Sequence, residues 1–259
     1  ESSPPKPRIL VIGAGPIGID AAVACSFAGF AVTTVERGKN IAASVRDWGH
    51  CRLFSSNELN HSEAGLYALN ELGVATPPKA HCPTGMEYID GYLEPLTRCL
   101  EERGAELLMQ TQVVSIGRGS QLKGDQVGAT ARAAAPFSAL MANDAGDEWR
   151  RDGFVAVVDA TGSYGNGNYV GRGGVPAVGE RKLRADAMDE QHAEAAGAKP
   201  RVPRSVFFDG LPDVLDRHAA SFLPRAGTRK ISLALVGSGY SAATVLRDVL
   251  ELAASRGNL

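Results

Sequence analysis

Three glycines set the chemistry open to this 259-residue chain: Gly13, Gly15 and Gly18 stand in the order G-x-G-x-x-G within Gly13-Ala-Gly-Pro-Ile-Gly18. The first permits a tight turn out of a strand, and the second lets backbone approach a pyrophosphate. The third lets a helix pack closely on that strand. A diphosphate bound there meets free N–H groups at the positive end of the helix dipole. Glu36, at the tip of the next strand, can accept hydrogen bonds from an adenosine ribose. Together these residues read as a dinucleotide site.

Such a site needs a strand, a turn, a helix and a second strand in that order. Arg8-Ile-Leu-Val-Ile12 is a short apolar strand of the kind buried in a parallel sheet. Ile19 to Ala28 is a helix-forming run ended by Gly29, and Ala31-Val-Thr-Thr-Val35 is a second buried strand closing on Glu36. The pattern returns near the other end of the chain. Ile231-Ser-Leu-Ala-Leu-Val236 reads as a buried strand, and Gly237-Ser-Gly-Tyr-Ser-Ala242 as a turn with Ala242 where a third glycine would be. A helix is predicted from Ala243 to Ala254. Gly237, Gly239, Ser241 and Ala242 are the expected contacts of a second nucleotide. The sequence stops at Leu259, and one strand with one helix cannot close a sheet. A fragment of a longer protein is expected.

Between the two motifs simple βα alternation is lost. Arg46-Asp-Trp-Gly-His-Cys-Arg-Leu-Phe-Ser-Ser-Asn57 is an aromatic and polar loop, able to line a ligand or simply to pack on the surface. Ser62 to Leu72 is helical and ends at Gly73. Thr84-Gly-Met-Glu87 is a capping box that opens a helix running to Gly104. Glu106 to Ile116 is predicted as one strand. Ser138-Ala-Leu-Met and the stretch from Trp149 flank the hairpin turn Asn143-Asp-Ala-Gly146, so an antiparallel excursion is expected. Phe154-Val-Ala-Val-Val158 is a further buried strand ending at Asp159-Ala-Thr-Gly162, where a small residue allows close backbone approach. Tyr164 to Glu180 is a glycine-rich loop or connector without the ending of a P-loop. Arg181 to Pro203 is polar and alanine-rich, with His192 as a solvated helix residue.

Composition excludes several classes. The chain is 44% hydrophobic and 22% charged with a net charge of −2, so it lacks the basic footprint of a nucleic-acid binder. No apolar run approaches the ~20 residues that span a bilayer. Cys25, Cys51, Cys82 and Cys99 form no C-x-x-C pair, and the five histidines have no ligand spacing, so no metal site is expected. Isolated reduced cysteines favour a cytoplasmic setting.

Two glycine motifs with an A-T-G strand end between them resemble the two-dinucleotide-binding-domain flavoproteins. These include flavin-containing monooxygenases, N-hydroxylating monooxygenases and pyridine nucleotide-disulfide oxidoreductases. The resemblance implies FAD at the first motif, on Gly13, Gly15, Pro16, Gly18, Glu36 and the adjoining Arg37, with Thr161 and Gly162 beside the flavin. It implies NAD(P)H at the second motif. Trp48 in the aromatic loop and Val113 on the adenine-side strand join the cofactor-binding positions. Leu53-Phe-Ser-Ser-Asn57 is similar to a monooxygenase segment ending in Thr-Asn or Ser-Asn, which makes Asn57 the candidate catalytic residue. One departure stands out. The monooxygenase fingerprint F-x-G-x-x-x-H-x-x-x-[FY] is matched by Phe208-Asp-Gly210 and by His218 to Phe222, but seven residues separate Gly210 from His218 instead of three.

The implied architecture is α/β: a Rossmann-like FAD-binding domain with an antiparallel β insertion over 1–165, a connector over 166–228, and the start of a second Rossmann-like NAD(P)-binding domain over 229–259. The implied activity is an NAD(P)H-dependent oxidoreductase, most like a monooxygenase that inserts oxygen into a small nucleophilic substrate through a flavin hydroperoxide. Its partners would be that substrate and molecular oxygen. A disulfide reductase and a non-catalytic flavin-bound sensor are the alternatives.

Overall fold

The computed structural model describes residues 4–186, 207–224 and 231–255, and the chain divides into two compact units, Glu1–Ser163 and Tyr164–Leu259. The first unit is built on a six-stranded sheet. Strand β1 (Arg8–Ile12) pairs in parallel with β2 (Ala31–Val35) on one side and with the end of β6 (Glu148–Asp159) on the other. Strand β3 (Glu106–Leu108) adds in parallel to β2. Strands β4 (Thr111–Arg118) and β5 (Phe137–Asn143) continue antiparallel beyond β6, giving the order β3-β2-β1-β6-β5-β4. The Rossmann-like parallel core and its antiparallel insertion are thus both present. Asn143 to Gly146 makes the expected hairpin turn, with Gly146 at φ 86°.

Helix α1 (Pro16–Phe27) links β1 to β2 as a right-sized crossover and packs against α4 (Glu63–Glu71) and α6 (Glu94–Glu102). Two short helices, α2 (Ala43–Asp47) and α3 (Asn57–Asn60), flank the aromatic segment predicted as a loop. The run opened by Thr84 consists of α5 (Gly85–Tyr88), a π-helical turn over Ile89–Leu93, and α6. The capping box is formed in both directions, Thr84 Oγ1 accepting from the Glu87 N–H and Glu87 from the Thr84 N–H. Leu69, Ile89, Leu93, Leu96 and Leu100 close the core between helices and sheet with no exposed surface.

A buried polar cluster ties α1 to these helices. Ser62 caps α4 by accepting from the Gly65 N–H, which leaves its own proton for Asp20 Oδ1 at 2.7 Å. Tyr92 Oη accepts from the Ser62 N–H and likewise gives its proton to Asp20 Oδ1, at 2.8 Å. Burial pushes the Asp20 carboxyl up, and the two donors pull it back. Gly65 is sterically obligatory here, because a Cβ would lie 2.0 Å from Tyr92 Oη. Gly65→Ala is therefore expected to lower stability by about 1–3 kcal/mol, the usual cost of overpacking, read as a lower midpoint in thermal unfolding.

Four sequence expectations are corrected. The strand expected over Glu106 to Ile116 is two strands, parted where Gln110 turns to φ 50° and donates its N–H to the Gly38 carbonyl. After that corner Thr111 leaves the parallel half of the sheet. Phe154 to Val158 belongs to a strand of 12 residues in which only Phe154 is fully buried. The Arg46–Asn57 segment is partly helical at both ends. The strand expected over Ile231 to Val236 is absent: this segment has no regular secondary structure, and Ile231, Leu233, Leu235 and Val236 are all exposed. Apolar character alone does not make a strand, and no partner strand exists among the described residues of that unit.

The second unit has a small core of its own, made by Val214, Phe222, Val245 and Leu252. Its long helix, Tyr240–Ser255, begins three residues ahead of the predicted start. Glu180 accepts from the Val170 and Ala177 N–H groups and from Arg184, which pins the glycine-rich stretch. Most of the Arg181–Pro203 segment, His192 included, lies outside the described residues. Among the described residues no helix is long and apolar enough to cross a membrane, and no group of acidic, histidine or cysteine residues could hold a metal ion.

Candidate dinucleotide-binding site

The glycine turn connects the C-terminal end of β1 to the start of α1, where the sheet changes direction of winding. This is the place at which open α/β sheets hold ligands. Its three glycines carry three separate demands. Gly13 adopts φ 98°, its N–H donates to the Val35 carbonyl at 2.7 Å, and a Cβ would meet the Ala160 carbonyl oxygen at 2.5 Å. Gly18 abuts the turn itself: a Cβ there would lie 1.8 Å from the Gly13 oxygen.

Gly15 is different. It is the N-cap of α1 at φ −79° and ψ −177°, a conformation open to any residue, and a Cβ there would meet nothing within 4 Å. Nothing inside the fold requires a glycine at this position. The vacant volume lies over the first turn of α1, where backbone N–H groups have no intrahelical partners. That space is open to a ligand at the start of α1. Pro16 occupies the first helical position, so α1 begins three residues ahead of the expected start at Ile19.

Glu36, expected as a ribose contact, has a structural role of its own. Its Oε2 accepts from the Ala14 N–H at 2.8 Å, and its Oε1 from the Gly38 N–H at 2.7 Å. The carboxylate therefore braces the glycine turn from the neighbouring strand, while each oxygen keeps lone pairs for a further donor. Ala14 is fully buried, and its carbonyl accepts from the Ala42 N–H at 2.8 Å. Ala42 pays for that bond with a left-handed conformation, φ 53°. Sequence reading passed over Ala14 and Ala42. Only the fold brings them together.

The end of β6 completes the wall. Ala160 donates its N–H to the Ile12 carbonyl at 2.9 Å, which sets Ala160 against Gly13 and Gly18. Asp159 Oδ1 accepts from the Thr161 N–H and hydroxyl at 3.1 and 2.8 Å, and these bonds hold its carboxyl below the usual range. Gly162 follows at φ 69°. Thr161 and Gly162 are exposed, and Arg37 is exposed beside Glu36.

The other expected residues lie elsewhere in the first unit. Trp48 ends α2 and packs on the start of α5, so that a Cβ at Gly85 would meet its ring at 3.0 Å. Val113 packs on the cluster of Leu10, Met141 and Phe154, beside an irregularity in the β4–β5 register. Asn57 is 2% exposed, donates from Nδ2 to the Pro78 carbonyl at 2.9 Å, and lines a cleft with Tyr88 and Tyr92. No bond joins it to the glycine turn.

In the second unit, Gly237 takes φ 117° and the Gly239 carbonyl accepts from the Ala243 N–H at 3.1 Å. The turn-to-helix part of the second motif is formed. Ser241 is exposed and Ala242 half-buried. Phe208 stacks on Phe222 at 5.4 Å and meets the His218 ring edge-on at 5.0 Å. The residues spaced like the monooxygenase fingerprint thus meet, as part of a small aromatic core.

Residues 10–127 match the family model for pyridine nucleotide-disulphide oxidoreductase. No curated protein matches the chain. Among solved structures, the chain is similar to the bacillithiol disulfide reductase Bdr of Bacillus cereus, at 20% identity and a TM-score of 0.45, over 64% of this chain and 43% of that one. It is also similar to OTEMO in complex with FAD and NADP, at 19% identity and a TM-score of 0.40, over 62% of this chain and 26% of that one. S-allyl-L-cysteine S-oxygenase from Allium sativum matches at 19% identity and a TM-score of 0.39, over 60% and 36%. The chain spans less than half the length of each of these structures. With its glycine turn, its braced acid and a family match that begins inside β1, the first unit has a Rossmann-like α/β fold.

Proposed function

We propose that the glycine turn of the first unit holds the pyrophosphate of FAD, and that the protein is an NAD(P)H-dependent flavin oxidoreductase acting as a monooxygenase on a small nucleophilic substrate. The observation that carries the nucleotide site is the unfilled space at Gly15, a glycine that the fold itself does not need. Free N–H groups of the first turn of α1 bind the phosphates, aided by the helix dipole. Glu36 accepts from the ribose while it holds the turn. Bound FAD supplies the redox chemistry, and the protein supplies binding, orientation and exclusion of water. NAD(P)H would bind at Gly237, Gly239, Ser241 and Ala242.

A disulfide reductase is the second reading, since the matching family is named for that chemistry. It needs a thiol pair in contact with the flavin. The four cysteines stand on separate elements, Cys51 and Cys99 are buried, and burial pushes the Cys25 and Cys99 thiols up, away from the reactive thiolate. These features favour the monooxygenase. A variant with all four cysteines replaced by Ser is expected to keep bound FAD and most NAD(P)H oxidation. Loss of turnover with flavin retained would support the reductase instead. The activity itself is tested by NAD(P)H consumption and oxygen uptake against a panel of amines, sulfides and ketones, where substrate-coupled oxygen uptake is expected.

A further inference from the structure

A second concavity lies away from the glycine turn in the first unit, a cleft of about 180 Å³ walled by α3, the π-helical turn and the loop before α5. It could hold roughly six waters at ~30 Å³ each, or one small organic molecule. The π-turn over Ile89–Leu93 forms one wall and places Tyr88, Gly91 and Tyr92 there. Such turns interrupt helices at a cost and recur at functional sites.

The hydrogen bonds around the cleft are strongly one-sided. Tyr88 Oη donates to the Asn60 carbonyl at 2.9 Å and Tyr92 Oη to Asp20, so both phenol protons are committed. Asn57 gives its amide nitrogen to the Pro78 carbonyl, which fixes the amide's orientation and leaves Oδ1 without a partner. Glu87 takes the Thr84 N–H, His81 and Arg52 all on Oε2, so Oε1 is unpartnered. Behind them, His61 Nε2 is buried without a partner, its ring stacked 4.1 Å from that of Tyr92. The cleft thus offers acceptors, a carboxylate and aromatic rings, while its amide and phenol donors are already in use.

We propose that this cleft binds a small organic ammonium, whose N–H groups donate to Glu87 Oε1 and Asn57 Oδ1 while its alkyl part packs against Pro77, Gly91 and Tyr88. A carboxylate beside aromatic rings is the combination that recognises such cations. An anion would meet the unpartnered acceptors and be repelled. Binding stands apart from the oxidoreductase reading, because no turnover is needed to observe it.

Calorimetric titration of the full chain with propylammonium chloride tests the proposal, with propanol and propionate as the neutral and anionic counterparts. Saturable binding of propylammonium alone is expected. Glu87→Gln keeps a side chain that can serve the capping box but removes the charge, and should weaken binding about fivefold, the value of one partly exposed ion pair. Gly91→Leu should abolish it by filling the cleft, since a Cβ at Gly91 meets only Pro77 Cγ, at 3.7 Å. Thermal unfolding confirms that each variant is folded, and Glu87→Gln decides alone if Gly91→Leu is not. Binding of propionate or propanol as tight as propylammonium, no saturable heat with propylammonium, or unaltered affinity in a folded variant would overturn the proposal.

Discussion

Gly15→Val is expected to yield a folded protein that no longer retains FAD. The Val side chain enters open space at an N-cap whose backbone angles suit any residue, so little else changes. A lost N-cap glycine costs about 1 kcal/mol or less. Flavin affinity is another matter, because the branched side chain takes the volume of the pyrophosphate and separates it from the helix N–H groups. Losing two charge-assisted hydrogen bonds of about 1.5 kcal/mol each weakens binding on the order of a hundredfold. Gly18→Ala makes the contrast. Its methyl would collide with the Gly13 oxygen, so that variant should lose stability and flavin together. Flavin content and circular dichroism, measured on both variants, separate a ligand-imposed glycine from a packing-imposed one. Full flavin content in Gly15→Val would remove the site.

Glu36→Arg is expected to be the most damaging single change in the turn. It abolishes flavin retention and also destabilises the apoprotein. The ribose loses its acceptor and faces a donor instead. The Ala14 and Gly38 N–H groups lose theirs as well, and Ala14 is fully buried. An unsatisfied buried donor costs about 1–3 kcal/mol. Glu36→Gln should fall between, because its one carbonyl oxygen can serve only one of the two N–H groups. Thermal unfolding of the flavin-free proteins checks this order. Equal stability of wild type and Glu36→Arg without flavin would show that the bracing role is wrong.

The first βαβ unit was legible because its signals are local. Continuous apolar runs and glycines at Gly13 and Gly29 with positive φ all act within a few residues. The Thr84 capping box and the hairpin at Gly146 are local in the same sense. What escaped depends on partners far along the chain. Gln110 breaks the predicted strand because Gly38, distant in sequence, offers its carbonyl. Asn57 carries a recognisable motif, but its amide is oriented by Pro78 and its burial by the helices around it. Ile231 to Val236 has the composition of a strand, yet pairing is a property of two segments and only one is present among the described residues. Glu36 was read as a ligand contact and proves to be a structural brace too, which spacing alone could not reveal.

The central claim is that the first glycine turn binds FAD, and equilibrium titration of FAD into flavin-free wild-type protein tests it most directly. Quenching of flavin fluorescence, followed beside Gly15→Val, reads the binding. The account predicts one FAD per chain for the wild type and binding weaker by about a hundredfold for the folded Gly15→Val variant. Equal binding by both proteins, or none by either, would contradict it.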